Sequence, residues 1–208
     1  MTLIPLDQHD PRLRQVCAPL TRGQLRDREQ QLEIEALLDF VNVTASEEIV
    51  GGRRGRAHPH TMGLAGNQVG IMKQICVVDL AIGQRNHTNF YVLINPRLVW
   101  QSKSLIEKPE GCINFKTTWG VTRRSRSVRV QALDRSGNEL ELKLTGWSAA
   151  LVQHEIDHLG GHLFIDRLGD PTKAHFVPLD QYSKYRHTKP SEWGQWVDVS
   201  DEVVREVN

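Results

Sequence analysis

The alternation of apolar and polar positions divides the chain into a helical segment, a strand-rich middle and a second helix. From about Gln24 to Val43, apolar residues recur at helical spacing between polar ones, which predicts an amphipathic helix. The runs "QICVVDL" and "NFYVLINPRLVW" predict strands. "SVRVQALD" and "ELELKL" flank the turn-forming "RSGN", so we expect a hairpin. The apolar positions assigned to the first helix are Leu25, Leu32, Ala36, Phe40 and Val43.

The remaining segments complete a prediction of fold class. A second helix is predicted from about Ser148 to Leu159, with glycines at its end. The order helix, strands, hairpin, helix predicts an α+β fold, with antiparallel sheets packed around a central helix. We expect one catalytic domain over residues 1–170, with a mobile insertion loop at 44–62, and residues 171–208 as a C-terminal extension of the same domain.

Composition narrows the class of partner and compartment. The 208 residues are 39% hydrophobic and carry a net charge of +1, so no overall basic field indicates nucleic acid or an anionic membrane. Two basic clusters, "GGRRGRAH" and "TRRSRSVR", are interpreted as a solvated loop and a strand edge. We expect no secretory signal and no membrane span. Three cysteines without a pattern suit a reducing cytoplasm.

The predicted second helix carries a possible metal site in "LVQHEIDHLGGHLF". His154, Glu155 and His158 share a helical stripe with Trp147 and Leu151 and therefore point inward. Buried imidazoles beside a carboxylate are costly unless something satisfies them. In the pattern H-E-x-x-H, both histidines reach one metal ion from adjacent turns, and the glutamate acts as a base on a water molecule.

Two histidines need a further ligand, and several candidates are weak. Phe164 stands where a metzincin has its third histidine, so that class is excluded. His162 follows glycines that should end the helix, and Glu192 lacks the second helix that a thermolysin-like site requires. His58 and His60 flank a proline in the predicted loop, where exposure is the ordinary role.

Of the cysteines, Cys112 is the best remaining ligand. Cys76 lies inside an apolar strand, where a small buried side chain is expected. Cys112 follows a glycine in "PEGCINF". One thiolate and two imidazoles suit zinc or iron and leave one coordination position for water.

Three segments together resemble the signatures of the peptide deformylase family: "GLAGNQVG", "EGCINF" and "QHEIDHLGG". "DPRLRQVCAP", "VLINP" and "LFIDRL" are also similar to family segments, so the resemblance covers about residues 5–170. It implies an α+β fold around the metal helix. The implied activity is hydrolysis of the N-formyl group from the formyl-methionine that begins new polypeptides.

The resemblance also implies roles for individual residues. Cys112, His154 and His158 would be the metal ligands and Glu155 the general base and acid. Gln68 would donate a hydrogen bond to the oxyanion. The residues implied to contact the substrate are Gly63, Leu64 and Ile113 through its backbone N–H. Trp119 is a candidate substrate contact at the entrance of the groove, with strand packing as the alternative.

The implied chemistry begins with a metal-bound water whose pKa falls from 15.7 toward roughly 7. Glu155 takes its proton, hydroxide attacks the formyl carbon, and Gln68 and the Ile113 amide stabilise the resulting charge. Glu155 then protonates the leaving amine. Glu110 is a candidate partner for one ligand histidine, with an ordinary surface position as the alternative.

The resemblance further implies the cofactor and partners. One divalent ion is expected, Fe²⁺ as the native ion, with Zn²⁺, Ni²⁺ or Co²⁺ as alternatives. The expected partners are formylated nascent peptides, with association with the ribosome as an open possibility, and neither a specific nucleic acid nor a membrane. We expect a cytoplasmic monomer or weak dimer.

Four positions depart from the family pattern and bear on specificity. Thr61 and Gly66 replace a glycine and an alanine of the first motif, Asn114 replaces a serine, and Trp119 stands where many members have an arginine. These changes leave open an amidohydrolase for another small N-formyl or N-acyl substrate. A non-catalytic, metal-stabilised binding protein and a conventional H-E-x-x-H endoprotease are two further hypotheses for this sequence.

Overall fold

The computed structural model describes residues 2–46, 62–81, 89–185 and 187–197. Two antiparallel sheets and two long helices occupy these ranges, which confirms the predicted α+β class. The helices are α1 (Arg28–Ser46), α2 (Trp147–Leu159) and the short α3 (Tyr182–Tyr185). The strands are β1 (Gly63–Ala65), β2 (Ile75–Asp79), β3 (Phe90–Gln101), β4 (Leu105–Gly111), β5 (Thr118–Ser125), β6 (Ser127–Leu133), β7 (Glu139–Thr145) and β8 (Ala174–Phe176).

The insertion predicted at 44–62 cannot be compared in full, because residues 47–61 lie outside the described residues, with His58, His60, Thr61 and the cluster "GGRRGRAH". Residues 44–46 are helical rather than part of a loop. Short 3-10 helices span Pro11–Arg14, Gln24–Arg26, Gly66–Val69, Phe164–Arg167, Pro171–Lys173, Leu179–Gln181 and Pro190–Trp196.

The larger sheet has the order β1, β2, β3, β6, β7, and all its neighbouring strands are antiparallel. β2, β3 and the β6–β7 hairpin lie where the apolar runs predict them. In the hairpin turn, the Asp134 carboxylate accepts the N–H groups of Ser136 and Asn138, as "DRSGN" favours. At the opposite edge, β1 pairs with β2 alone among the described strands.

Helix α1 begins later than predicted, and one predicted position of its buried face is exposed. Gln24–Arg26 form a separate 3-10 turn before α1 starts at Arg28. Ile34, Leu37 and Val41 are fully buried against the sheet, whereas Leu32 is 56% exposed, so its assignment to the buried face is wrong. Of the other predicted positions, Leu25 and Ala36 are buried and Phe40 packs against the same cluster, as an amphipathic helix requires.

Helix α2 crosses the inner face of the larger sheet. Ala149 and Val152 pack against Val128 and Val130 of β6, in a cluster without exposed members. Burial of that side leaves the opposite side of α2 facing β4 and β5 of the smaller sheet, whose order is β4, β5, β8. The helix therefore lies between the two sheets, as the predicted architecture requires.

The tail is more regular than its sequence suggests. Strand β8 pairs with β5, and beyond it Tyr185 and Trp196 pack with Val177 in a small buried cluster. Among the described residues, no helix has both the length and the apolar composition to cross a bilayer.

Candidate metal centre

Helix α2 places two histidines and a glutamate in one buried position. His154 and His158 are one helical turn apart and therefore share a face, and Glu155 lies beside them. All three are buried, with Glu155 only 2% exposed. The helix ends before Gly161, whose φ of 75° suits glycine and whose Cβ would meet the Arg14 carbonyl.

Cys112 reaches these histidines from the end of β4. Its Sγ lies 3.3 Å from His158 Nε2, which lies 3.2 Å from His154 Nε2. The three ligand atoms lie within 4.8 Å of one another. Tetrahedral ligand atoms about 2.1 Å (nitrogen) and 2.3 Å (sulfur) from a metal would be separated by about 3.4 to 3.6 Å. The donor set and its spacing therefore fit one divalent metal ion.

A buried ion-pair network supports one of these ligands. Glu110 Oε2 lies 3.2 Å from His154 Nδ1, which leaves His154 Nε2 directed at the site. Arg124 donates to Glu110 at 2.5 and 2.9 Å and to Asp157 at 2.8 Å. Glu110 is thus a partner of a candidate ligand, not a surface acid. Arg124 is 4% exposed at its side chain, so the expectation of a solvated strand edge is wrong there.

The network also sets charges around the site. Burial alone would raise the pKa of Glu110, but Arg124 and His154 outweigh it and hold that pKa well below its usual range. Burial alone would lower the pKa of His154, but contacts with Cys112 and Glu110 raise the pKa to about 10. Burial and the neighbouring charge of His154 lower the pKa of His158 far below its ordinary value. Nδ1 of His158 has no hydrogen-bond partner among the described residues.

Glu155 has the properties of a group that exchanges protons near neutral pH. Burial raises the pKa of its carboxyl to about 7. Its Oε2 is buried and has no hydrogen-bond partner among the described residues. A Cβ on Gly63 would overlap the same carboxyl group. Glycine at position 63 therefore makes room for Glu155 beside the edge strand β1.

The loop after β1 directs Gln68 toward the cysteine. The N–H of Ala65 donates to Gln68 Oε1 at 2.7 Å, which fixes the orientation of the amide. Gln68 Nε2 then donates to Cys112 Sγ at 3.2 Å. Asn114 Nδ2 donates to the Gln68 carbonyl at 3.0 Å and to the Leu6 carbonyl at 2.9 Å. Asn114 thus ties the N-terminal arm, the Gln68 loop and the cysteine loop together.

Two departures from the family pattern have local packing reasons. A Cβ on Gly66 would lie 2.6 Å from the Ile71 carbonyl oxygen, so alanine does not fit this turn. The Trp119 ring lies against Gly111, where a Cβ would be 2.8 Å from the ring, and its other neighbours are Tyr182 and Tyr185. Trp119 therefore packs between the tail and the residue before Cys112.

The other ligand candidates are elsewhere. Phe164 stacks on His154, with 6.4 Å between ring centroids, as a neighbour and not a ligand. The exposed His162 lies 4.0 Å from Asp166, and Glu192 is exposed in the last 3-10 helix. Cys76 is fully buried in β2, as expected.

Sequence reasoning missed three residues of the surroundings. Arg124 and Asp157 form the network with Glu110, and Asn67 Nδ2 donates to the His158 carbonyl at 2.6 Å. The available signal for Asp157 was an acid on the same helix, three residues after His154. Arg124 and Asn67 have no such local signal.

Comparisons with known proteins agree with this geometry. A family model described as "Polypeptide deformylase" matches residues 5–174. Peptide deformylases of Cellvibrio japonicus and Teredinibacter turnerae are 33% and 35% identical over 172 and 167 residues, which cover 81% and 80% of this chain and 88% and 87% of theirs.

Solved structures have the same fold. A class I type b peptide deformylase from Acinetobacter baumannii with Met-Ala-Ser bound is 26% identical, with a TM-score of 0.66 over 80% of this chain and 98% of its own. Peptide deformylase from Ehrlichia chaffeensis is 26% identical, with a TM-score of 0.67 over 81% and 88% of the two chains.

Proposed function

Since the chain belongs to the polypeptide deformylase family, we propose that it removes the formyl group from the N-terminal formyl-methionine of newly made polypeptides by metal-dependent hydrolysis. The convergence of Cys112 Sγ with the Nε2 atoms of His154 and His158, beside Glu155, carries this proposal. It combines a metal-ligand set with a buried carboxyl group that can accept a proton.

In this proposal Cys112, His154 and His158 hold one divalent ion, with Fe²⁺ as the native ion and Zn²⁺, Ni²⁺ or Co²⁺ as substitutes. A thiolate with two imidazoles suits these ions. When bound, the ion polarises oxygen and makes hydroxide available near neutral pH. Metal analysis of protein purified without oxygen tests the choice of ion: one equivalent of iron is expected, and zinc under those conditions would contradict it.

Glu155 is the proposed proton carrier. Its Oε2 atom accepts a proton from the attacking water and then delivers it to the leaving amine nitrogen. A pKa near 7 suits both steps, because the group must gain and lose a proton at the same pH. The burial that raises this pKa also keeps bulk water away from the reacting atoms.

Gln68 and the Ile113 backbone N–H are the proposed donors to the oxyanion. The Oε1 atom of Gln68 is already held by Ala65, so its Nε2 group is oriented before substrate arrives. One such donor contributes about 2.7–4 kcal/mol to lowering a barrier of this kind. Asn114 holds the Gln68 backbone from behind.

We propose that the peptide lies along the edge of β1 that no described strand occupies, beside Gly63 and Leu64, because an extended peptide can pair with an edge strand. Leu64 contributes its backbone, since its side chain is fully buried. Trp119 acts by supporting Gly111.

We further propose that residues 171–208 belong to the same domain as 1–170, supported by the pairing of β8 with β5. Free thiols at all three cysteines support a cytoplasmic location. A monomer or weak dimer is the proposed state in solution.

Formate release from a formyl-Met peptide by metal-replete protein tests the function. Wild-type protein is expected to release formate, and Glu155→Ala to lose nearly all of this activity. Equal rates for the two proteins, or no formate from either, would refute the mechanism. Formyl-Ala and acetyl-Met peptides, both expected to react poorly, test the alternative of another small N-formyl or N-acyl substrate.

A further inference from the structure

The outer face of the larger sheet carries a row of one aromatic and two cationic side chains. Trp100 of β3 lies opposite Arg129 of β6, which lies opposite Lys143 of β7. Directly opposed residues of antiparallel strands project from the same face, and neighbouring strands are about 4.8 Å apart. Trp100 is 49% exposed, and the Arg129 guanidinium lies 5.7 Å from its ring centroid.

The surroundings of this row are mostly basic and polar, with one exposed acid, Glu141, two residues before Lys143 on the same face of β7. On one side, Ser127 and Thr145 face each other, with 3.0 Å between their hydroxyl oxygens. Exposed Lys103 and Arg126 lie in the adjacent connections. The segments 98–106, 125–131 and 142–146 together contain four cationic side chains and no acid. We call these five residues the outer patch: Trp100, Lys103, Arg126, Arg129 and Lys143.

Ion pairing distinguishes the outer patch from the neighbouring arginines of β5. None of its four cations has a carboxylate partner among the described residues, whereas nearby Arg123 pairs with Glu107 and Arg124 with Glu110. The cluster "TRRSRSVR" therefore divides into two parts. Its first two arginines, Arg123 and Arg124, pair with glutamates of β4. The other two, Arg126 and Arg129, are exposed to solvent.

Trp100, Arg129 and Lys143 lie on the side of the sheet away from the catalytic helix. The inner faces of β6 and β7 contribute Val128, Val130 and Leu142 to the cluster that packs against α2. A ligand on the outer face would therefore leave β1, Glu155 and the metal ligands accessible.

We propose that the outer patch binds single-stranded RNA without regard to sequence. Trp100 stacks on a base, and Arg129, Lys143, Lys103 and Arg126 contact phosphates. A sheet face with an exposed aromatic and unpaired cations is suited to this ligand, because every base has a face for stacking and every nucleotide a negative charge. The proposal rests on charge complementarity and the strand register, not on the hydrolytic activity.

Fluorescence anisotropy of a labelled oligouridine with the full-length metal-bound protein tests the proposal. Four phosphate contacts predict a slope of log affinity against log salt of about −2.8, and Arg129→Gln/Lys143→Gln should reduce it to about −1.4. Trp100→Ala should weaken binding about tenfold, and Trp100→Phe much less. The matched control is Arg26→Gln/Arg28→Gln, which removes two exposed cations at the start of α1, outside the outer patch, and should change little. Thermal unfolding of each variant verifies its fold.

Several outcomes would overturn the proposal. Equal losses in the outer-patch and control variants would show that net charge alone matters. If Trp100→Ala kept full affinity for oligouridine, Trp100 would not stack on a base. If inorganic polyphosphate competed as well as RNA, the outer patch would recognise phosphate alone. Binding to vesicles of phosphatidylserine but not to oligouridine would identify the outer patch as a lipid-binding surface instead.

Discussion

Removal of Glu110 should destabilise the fold and weaken metal binding together. The side chains of Glu110 and Arg124 are 9% and 4% exposed, and Glu110→Ala would leave a buried guanidinium with Asp157 as its remaining partner in the network. Breaking a buried ion pair costs about 3–5 kcal/mol of unfolding free energy. Because Asp157 would still pair with Arg124 at 2.8 Å, we expect a loss near the lower end, about 3 kcal/mol. Loss of the contact with His154 Nδ1 should weaken metal affinity about 10–100-fold.

The same pair of strands supplies a matched control. Glu107 pairs with Arg123 at 2.7 Å, but these side chains are 41% and 68% exposed. Glu107→Ala should therefore cost less than about 1 kcal/mol and leave metal affinity unchanged. Urea unfolding of the metal-free proteins gives the stabilities, and competition with a chelator gives the affinities. Similar losses for the two variants would refute the argument from burial. Glu110→Gln, which keeps the shape and one acceptor oxygen, should fall between wild type and Glu110→Ala.

Three further predictions concern the active site and the tail. Gly63→Ala should lower kcat for formate release more than about tenfold, because the added Cβ would overlap the Glu155 carboxyl group. Gly194→Ala is the control, since open space surrounds that position, and it should leave kcat unchanged. Equal effects of the two substitutions would argue against the overlap. Gln68→Ala should reduce kcat about 10²–10³-fold with little change in KM, and a change confined to KM would assign Gln68 to substrate binding instead. Burial lowers the pKa of His175 to about 4 from an ordinary 6.5, so the unfolded chain binds this proton more tightly than the folded one. The free energy of unfolding should therefore fall as the pH drops from 6.5 toward 4, by up to about 3 kcal/mol. In urea unfolding, His175→Asn should lose less stability over that range, and an unchanged pH profile would exclude His175 as the cause.

Local patterns predicted the parts of the molecule that depend on neighbours in sequence. The i, i+4 spacing of His154 and His158 defines a helix face, and "RSGN" defines a hairpin turn, so both could be located from the sequence. The choice of Cys112 depended on chemistry and elimination, and the structure brings its sulfur to the histidines.

Features that depend on distant contacts were not predicted. Arg124 looks like its exposed neighbours in "TRRSRSVR" and is buried only because Glu110 and Asp157 meet it from other elements. The apolar residues of the tail show no helical or strand periodicity, because Tyr185 and Trp196 pack through ring contacts with each other and around Trp119. They do not lie along one face of a helix. The same limit explains Leu32, since the sequence alone does not say where the edge of the buried face of α1 lies.

The brevity of β1 has a consequence for a catalyst that must serve every newly made chain. Its three residues present few backbone hydrogen-bonding groups, and these groups are the same whatever side chains the visiting peptide carries. On the proposed pairing of the peptide with β1, recognition would concentrate on the first residue and its formyl group, and the rest of the peptide would be held briefly and without preference. A longer edge strand would form more hydrogen bonds with each product and slow its release. Weak binding of the peptide backbone would therefore favour the processing of many different proteins in succession.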